Sequence, residues 1–439
     1  PPLFFFKADE GIGDPLWSRG LGDVYKRQVR DAEKEGVKIF DSVMPLEVIL
    51  DDSGRAKGLK MAKSLGIGMV GSGFMGRCHT NAYSSVGGIF EIPFKPQLKV
   101  LADATPDLAD SAARALQFER GTSDWIDLVR DESVELVGIT APNHLHHPIA
   151  MAAMAEGKPV YCEKPLACTL EEAREMCDTA EKKGIPTLVG YNYLQNPLMK
   201  TAKSILDSGE IGEPVAFRGV HAEDYMADPK APYSTRLDAS QGGGVFYDLG
   251  SHIVSLARYL VGSIDQIFAM QTTVHSSRPK QPGSESMESV SVDDQTHSLV
   301  QFENGCRGSL EASWVAWGRK MHLSFELNCS KGTLIFNQER FNELRLYEAN
   351  QRPGRDGFKI LESGPAHGDY ARFCPAPGHQ IGFNELKVIE LVELLKSIHG
   401  KTECWPDFRE AYEIQKILEA ARRSSADSAW CSPAQMEAS

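Results

Sequence analysis

The chain of 439 residues is 42% hydrophobic and 24% charged, which places it among folded globular proteins and allows two or three domains, each with its own core. A formal net charge of −13 removes the basic footprint that nucleic-acid binding requires, and no apolar run approaches the roughly 18 residues that cross a bilayer. Nine cysteines, an odd number without a CxxC pair, point to reduced thiols and away from a disulfide framework or a zinc site. With no signal-peptide pattern at its start, the expectation is a cytoplasmic enzyme with no metal, no nucleic-acid partner and no membrane contact.

Residues 1–62 stand apart from the rest. They begin without an initiator Met, DPLWSRGLGDVYKRQ has no usable periodicity, and VMPLEVILDDSGRAKGLKM reads as a hairpin turning at DDSG. No catalytic constellation falls here, and the segment is expected to be an unassigned leader, fused or mis-assembled onto the remainder of the chain.

From residue 63 a regular alternation sets in. GIGMV, QLKVLAD, VELVGIT, PVYCEK and IPTLVGYN read as strands, with FMGRCHTNAYSSV, PDLADSAARAL and HPIAMAAMAEG as helices between them. That grammar predicts a doubly wound parallel sheet of the Rossmann type over 63–191. Between the first strand and the first helix stands Gly71-Ser72-Gly73-Phe74-Met75-Gly76. In such a loop one glycine makes the tight turn, one admits a pyrophosphate to the backbone, and one lets helix and strand pack closely. The helix start then supplies N–H donors and a positive dipole end to phosphate. Asp103 ends the second strand, where a carboxylate accepts from both ribose hydroxyls and repels a 2′-phosphate. With no Arg or Lys in the adjoining ATPDLADSAA, NAD is favoured over NADP. Cys162, although next to Glu163 and Lys164, is expected to pack.

Past residue 192 the pattern changes. NPLMKTAKSILDSG reads as a helix. VHAED, IDQIFAMQTTV, SVSVDDQTHSLVQF, RGSLEASWVAW, HLSFELNCS and GTLIFN come next as strands broken by turns such as ENG and SKG. They predict a large, open, mostly antiparallel sheet with flanking helices, a substrate-binding and oligomerisation domain over 192–425. Residues 277–289 read as a polar loop, GFNELKVIELVELLKSIHG and FREAYEIQKILEAARRSS as helices, and 426–439 as a frayed tail. Trp314 and Trp317 are assigned to sheet packing or an oligomer face.

Within this half, GGGVFYDLGSHIVSLARYL sets Asp248 and His252 one helical turn apart at the head of a core-facing helix. Asp248 fits a helix N-cap and equally a working carboxylate. Just before it, HAEDYMADPKAPYSTR groups His221, Glu223, Asp224, Tyr225 and Arg236, a set suited to reading several hydroxyls.

The GxGxxG loop, TAPNHLHHPIA, YCEKPLACTLEEA and the GGG…D…H segment occur in an order that resembles the glucose-fructose oxidoreductase and inositol dehydrogenase family (Gfo/Idh/MocA), over roughly residues 65–430. The resemblance implies an NAD-dependent dehydrogenase that moves a hydride between nicotinamide and a hydroxyl-bearing carbon of a sugar, anhydrosugar or cyclitol. It implies Lys164 as a catalytic residue, Asp248 as a substrate-orienting carboxylate and His252 as the general acid/base. Gly71, Ser72, Gly73, Phe74, Met75, Asp103, Thr140, Pro142, Asn143, His146, Glu163, Lys164 and Asn192 would meet the cofactor. Tyr191, His221, Tyr225 and Arg236 would join the catalytic set at the substrate. Trp125 fits either the adenine or the core, His146 and His379 either contact or loop support. Tyr193 and Gln195 depart from an aromatic-basic pair common in the family. A dimer or tetramer is implied as well. Two other readings stay open: a glycosidase of this fold that retains and recycles NAD, and a non-catalytic nucleotide-binding sensor.

Overall fold

The computed structural model describes residues 48–50, 56–59, 63–400 and 402–437. The chain divides into two units, 1–61 and 62–439. In the first, β1 (Val48–Leu50) and β2 (Ala56–Leu59) pair antiparallel, as the hairpin expectation requires. Most of the leader, including its DDSG turn, lies outside the described residues.

The second unit opens with six parallel strands, β3 (Lys63–Val70), β4 (Phe94–Ala102), β5 (Arg120–Thr122), β6 (Leu136–Ile139), β7 (Val160–Cys162) and β8 (Thr187–Val189), in the order β5-β4-β3-β6-β7-β8. Helices α1 (Phe74–Ile89), α2 (Pro106–Leu116), α3 (Trp125–Arg130), α4 (His146–Ala155) and α5 (Leu170–Lys183) connect them. Strands covered on both faces carry unbroken apolar runs rather than alternation, and β6 through β8 are buried throughout. Local chemistry sets the helix ends. Thr105 caps α2 with Pro106 in its first turn, while Thr169 and Glu172 form a capping box on α5, which stops at a left-handed Gly184. The sequence reading missed β5 and α3, at three and six residues too short to show a period. Strand order reverses between β3 and β6, which opens a crevice at the carboxyl ends of these strands.

After α6 (Pro197–Asp207) the chain builds a second sheet. β9 (Pro214–Ala222) is followed by α7 (Ser251–Leu260), β10 (Ile264–Thr272), the pair β11 (Ser277–Pro279) and β12 (Met287–Ser289), then β13 (Gln295–Phe302), β14 (Arg307–Ser313), β15 (His322–Cys329), β16 (Gly332–Asn337), β17 (Glu343–Glu348) and β18 (Lys359–Glu362). The eight-stranded order is β10-β13-β14-β9-β15-β16-β17-β18. Every pairing is antiparallel except β14 with β9. One face is buried and the other solvated, so the strands alternate: Thr296, Ser298, Val300 and Phe302 of β13 point inward, His297 and Leu299 outward. Residues 277–289, anticipated as a polar loop, instead carry the β11/β12 ribbon. There Arg278 is fully buried and donates to the backbone carbonyls of Met226 and Asp228, so tertiary contacts hold a polar segment that lacks strand propensity. Trp314 is buried and donates to Asp294 at 2.6 Å, as sheet packing requires, whereas Trp317 is 73% exposed and packs in no sheet.

The last helices, α8 (Tyr370–Phe373), α9 (Phe383–Ile398) and α10 (Phe408–Asp427), return to the first sheet. Val388, Ile389, Val392 and Leu395 of α9 share a core with Tyr83 and Val86 of α1. At the head of α10, the Val189 N–H donates to the Pro406 carbonyl at 2.9 Å and the Phe408 N–H to Thr187 Oγ1 at 3.2 Å. The C-terminal helices are thereby fixed to the first sheet. The described part of the expected tail, 426–437, is ordered: α10 runs to Asp427, and Cys431 exchanges two 2.9 Å backbone hydrogen bonds with Ile267 of β10. Burial of Cys431 and Met436, both near 5% exposed, secures it.

Candidate active site

The glycine loop closes the crevice on the Rossmann side. Gly71 has φ +100°, and a Cβ there would lie 2.7 Å from the Thr140 carbonyl oxygen. A Cβ on Gly76 would run into the Gly71 carbonyl, whereas one on Gly73 would meet nothing within 4 Å. Two glycines thus pack the loop and the third leaves room beside the backbone at the start of α1, as a pyrophosphate requires. Asp103 is oriented by this loop. Its carboxylate accepts from the Ser72 N–H at 3.0 Å, the Ser72 hydroxyl and the Ala104 N–H at 2.7 Å.

Lys164 stands beyond β7 with its side chain 15% exposed. Its Nζ donates to Asp248 Oδ1 at 2.6 Å and to the Asp248 carbonyl at 2.8 Å. The other carboxylate oxygen of Asp248 accepts from the Tyr225 hydroxyl at 2.8 Å and from Arg236 Nε at 3.1 Å. Asp248 is therefore not the helix cap that its sequence position suggested. Phe246–Gly250 form a π-helical turn leading into α7, with no side-chain cap. The wider turn directs the carboxylate across the crevice rather than onto the first-turn N–H groups.

His252 lies one turn on, 5% exposed, with Nδ1 lacking a partner among the described residues. Its ring meets Tyr193 edge-on at 4.7 Å and lies 5.6 Å from His221, which is tethered to the Leu249 carbonyl at 2.9 Å. Burial first, then Lys164 and His221, push the His252 pKa well below 6.5. A neutral imidazole able to take a proton results. For Asp248 burial favours the protonated acid, but Lys164 and Arg236 outweigh it and hold the carboxyl below its ordinary range.

These groups line one cleft of about 980 Å³, at the upper end for ligand pockets and roomy enough for a dinucleotide with a small substrate beside it. Of the residues that the resemblance places at cofactor and substrate by motif, all but Tyr191 line it. Tyr191 is 1% exposed and packs edge-on against His252 at 5.9 Å, while its neighbour Asn192 lines the cleft, its Nδ2 without a partner among the described residues. His146 borders the cleft, but its ring nitrogens lie 2.8 and 2.9 Å from the Pro165 and Ala141 carbonyls, so it braces the loop. Asn143 donates to the Gln241 carbonyl at 3.1 Å, joining the two walls. Cys162 is fully buried, with its thiol pKa raised by burial. Asp224 pairs with Lys320 instead of facing the cleft, and His379 and Trp125 lie outside it.

Sequence reasoning missed Met321, Gln338 and Phe383, which complete the wall facing Tyr193. Gln338 is 8% exposed, and among the described residues its Oε1 has no partner. It succeeds β16 on the far side of the second sheet, and no local signal marks it.

The open side of Gly73 and the carboxylate of Asp103 suit a nicotinamide dinucleotide, and among the described residues Asn192 Nδ2 and His252 Nδ1 have no partner. Residues 65–191 match the oxidoreductase family with an NAD-binding Rossmann fold, and residues 199–335 the GFO/IDH/MocA C-terminal domain. The levoglucosan dehydrogenase of Pseudarthrobacter phenanthrenivorans is 37% identical over 389 residues, covering 86% of this chain and all of the relative. The glucose-6-phosphate 3-dehydrogenase of Bacillus subtilis is 29% identical over 367 residues, covering 80% and 94%. A solved levoglucosan dehydrogenase in complex with NADH and levoglucosan superposes with a TM-score of 0.81 at 38% identity, covering 84% of this chain and 99% of that one. With both domains matched in order around one cleft, the chain belongs to the Gfo/Idh/MocA family of NAD-binding oxidoreductases.

Proposed function

We propose that the protein is an NAD-dependent dehydrogenase of a cyclic sugar, with an anhydrosugar of the levoglucosan type as the leading substrate. The observation that carries this reading is the Lys164–Asp248 pair, set in the same cleft as a neutral His252 and the dinucleotide loop. NAD, when bound, supplies the acceptor for the hydride. His252 takes the hydroxyl proton, because burial keeps its imidazole neutral. Lys164 donates to the same oxygen as negative charge develops on it. Asp248 holds the Lys164 ammonium in place, while Tyr225 and Arg236 fix Asp248 from the solvent side. Buried hydrogen-bonding groups such as Gln338 penalise a substrate that lacks the matching hydroxyl, which suits a polyol with several of them.

The test is NADH formation from NAD with levoglucosan, myo-inositol, scyllo-inositol, glucose, galactose and xylose. Turnover is expected with levoglucosan above the others, and in the same assay the acid limb of kcat/KM falls below pH 6.5, the ordinary histidine value. No NADH from any of these sugars, or an acid limb above that value, overturns the reading.

We also propose that the protein works in the cytoplasm as a dimer or tetramer, two copies joining through the open face of the second sheet. Met270 and Leu299 stand 59% and 53% exposed on that face and offer apolar contacts to a second copy. Sedimentation velocity returning only a monomer at micromolar concentration removes this part.

A further inference from the structure

Behind the Glu163-Lys164-Pro165 turn lies a set of ionisable side chains that hydride transfer does not use. Lys387 of α9 is fully buried, and its Nζ donates to Glu163 Oε1 at 2.6 Å and to Glu390 Oε2 at 2.9 Å. His79 of α1, also fully buried, places Nε2 2.8 Å from the same Glu163 Oε1. Both contacts fall on Oε1, and among the described residues no group hydrogen-bonds Oε2. The Glu163 carboxylate borders the cleft, its side chain 8% exposed. It lies directly over Gly190, where a Cβ would come within 2.7 Å of both oxygens. Two residues on, Asn192 lines the cleft, and its buried Nδ2 has no hydrogen-bond partner among the described residues.

Buried ion pairs add little net stability, because desolvation cancels most of the attraction. This one instead has a geometric consequence: it leaves one acceptor and one donor, Glu163 Oε2 and Asn192 Nδ2, unspent in the same cleft. A primary carboxamide presents the complementary pair, an N–H donor and a carbonyl acceptor.

We propose that Lys387 is a positioning residue for nicotinamide: with His79 it pins Oε1 of Glu163, so that the free Oε2, together with Asn192 Nδ2, receives the cofactor's carboxamide. Burial alone would favour the neutral acid at Glu163, and Lys387 and His79 outweigh it and hold the carboxyl below its ordinary range. Glu390, in contrast, is pushed up to about 7 by burial, so the Lys387 charge answers chiefly to Glu163. The ionisable groups facing Glu163 include Lys387 and Glu390 from α9, Cys78, His79 and Tyr83 from α1, Tyr161 and Cys162 from β7, His146 from α4, Tyr191 and Tyr193 after β8, and His252 from α7.

The experiment compares dissociation constants of NADH and ADP-ribose, which lacks the carboxamide, for the wild type, Lys387→Met and Glu163→Gln, with no sugar present. Its outcome is therefore independent of which sugar the enzyme oxidises. In both variants NADH is expected to bind about tenfold more weakly, as the loss of one charge-assisted contact implies, with ADP-ribose within about twofold. Wild-type NADH affinity stays level from about pH 9 to about pH 5, whereas in Lys387→Met it weakens toward the acid end as Glu163 takes a proton. A merely structural role would move both ligands together and leave the pH profile flat. Equal shifts for the two ligands, or no shift in a folded variant, overturn the proposal. If Lys387→Met does not fold, Glu163→Gln decides: an unchanged ratio of the two constants is sufficient to reject it.

Discussion

Lys164→Ala should lower kcat for sugar oxidation by roughly 10²–10³-fold, about 3–4 kcal/mol, as loss of a preorganised donor to a developing oxyanion implies. The Kd for NADH should stay within about twofold, since the lost contact is made in the transition state rather than on the bound cofactor. The variant has good reason to remain folded, because Asp248 keeps its hydrogen bonds from Tyr225 and Arg236 and is not left as an unpaired buried charge. Stopped-flow turnover together with NADH fluorescence titration checks both halves. Undiminished turnover would remove Lys164 from the chemistry, and a fall in NADH affinity of the same size as the fall in kcat would make it a cofactor ligand instead.

Asp103→Ala should weaken NAD binding by about 10–100-fold, the worth of a charged acceptor to ribose hydroxyls at roughly 1.5–3 kcal/mol. It should also raise the ratio of NADP to NAD activity by at least about tenfold, because the carboxylate that repels a 2′-phosphate is gone. The Ser72 and Ala104 contacts hold that carboxylate at the head of the loop, so its removal frees the ribose position without disturbing β4. Parallel kcat/KM measurements with the two cofactors decide the point, and an unchanged preference would place the discrimination elsewhere.

Much of this was legible from one dimension. The glycine loop, Asp103 and Lys164 sit at ends of strands whose apolar runs are short and contiguous, so local patterning placed them at the carboxyl edge of a parallel sheet. His221, Tyr225 and Arg236 were marked by their polar clustering. Asp248 was read correctly as ionisable and wrongly as a plausible cap, because the π-turn that reaims it depends on Val245 and Phe246 being held by Asp293, 47 residues beyond Phe246. Tyr191 was counted at the substrate, but the chain turns after Gly190 so that Asn192 faces inward and the phenol packs in the core. Lys387 did leave a trace, since charges at 387 and 390 interrupt the apolar face of FNELKVIELVELL, a break in period that reads as an error until its partner beyond β7 is known.

The sequence by itself determined the two-part architecture and the dinucleotide loop with its acid. Those properties arise from periodicity and residue type, which act over a few neighbouring positions. Only the tertiary structure decided which side chains share the cleft: Met321, Gln338 and Phe383 on its far wall, Lys387 behind Glu163, and a C-terminal segment that pairs with β10 rather than fraying. Each of these depends on packing between elements far apart in the chain, where hydrophobic burial sets the arrangement and no local pattern encodes the partner.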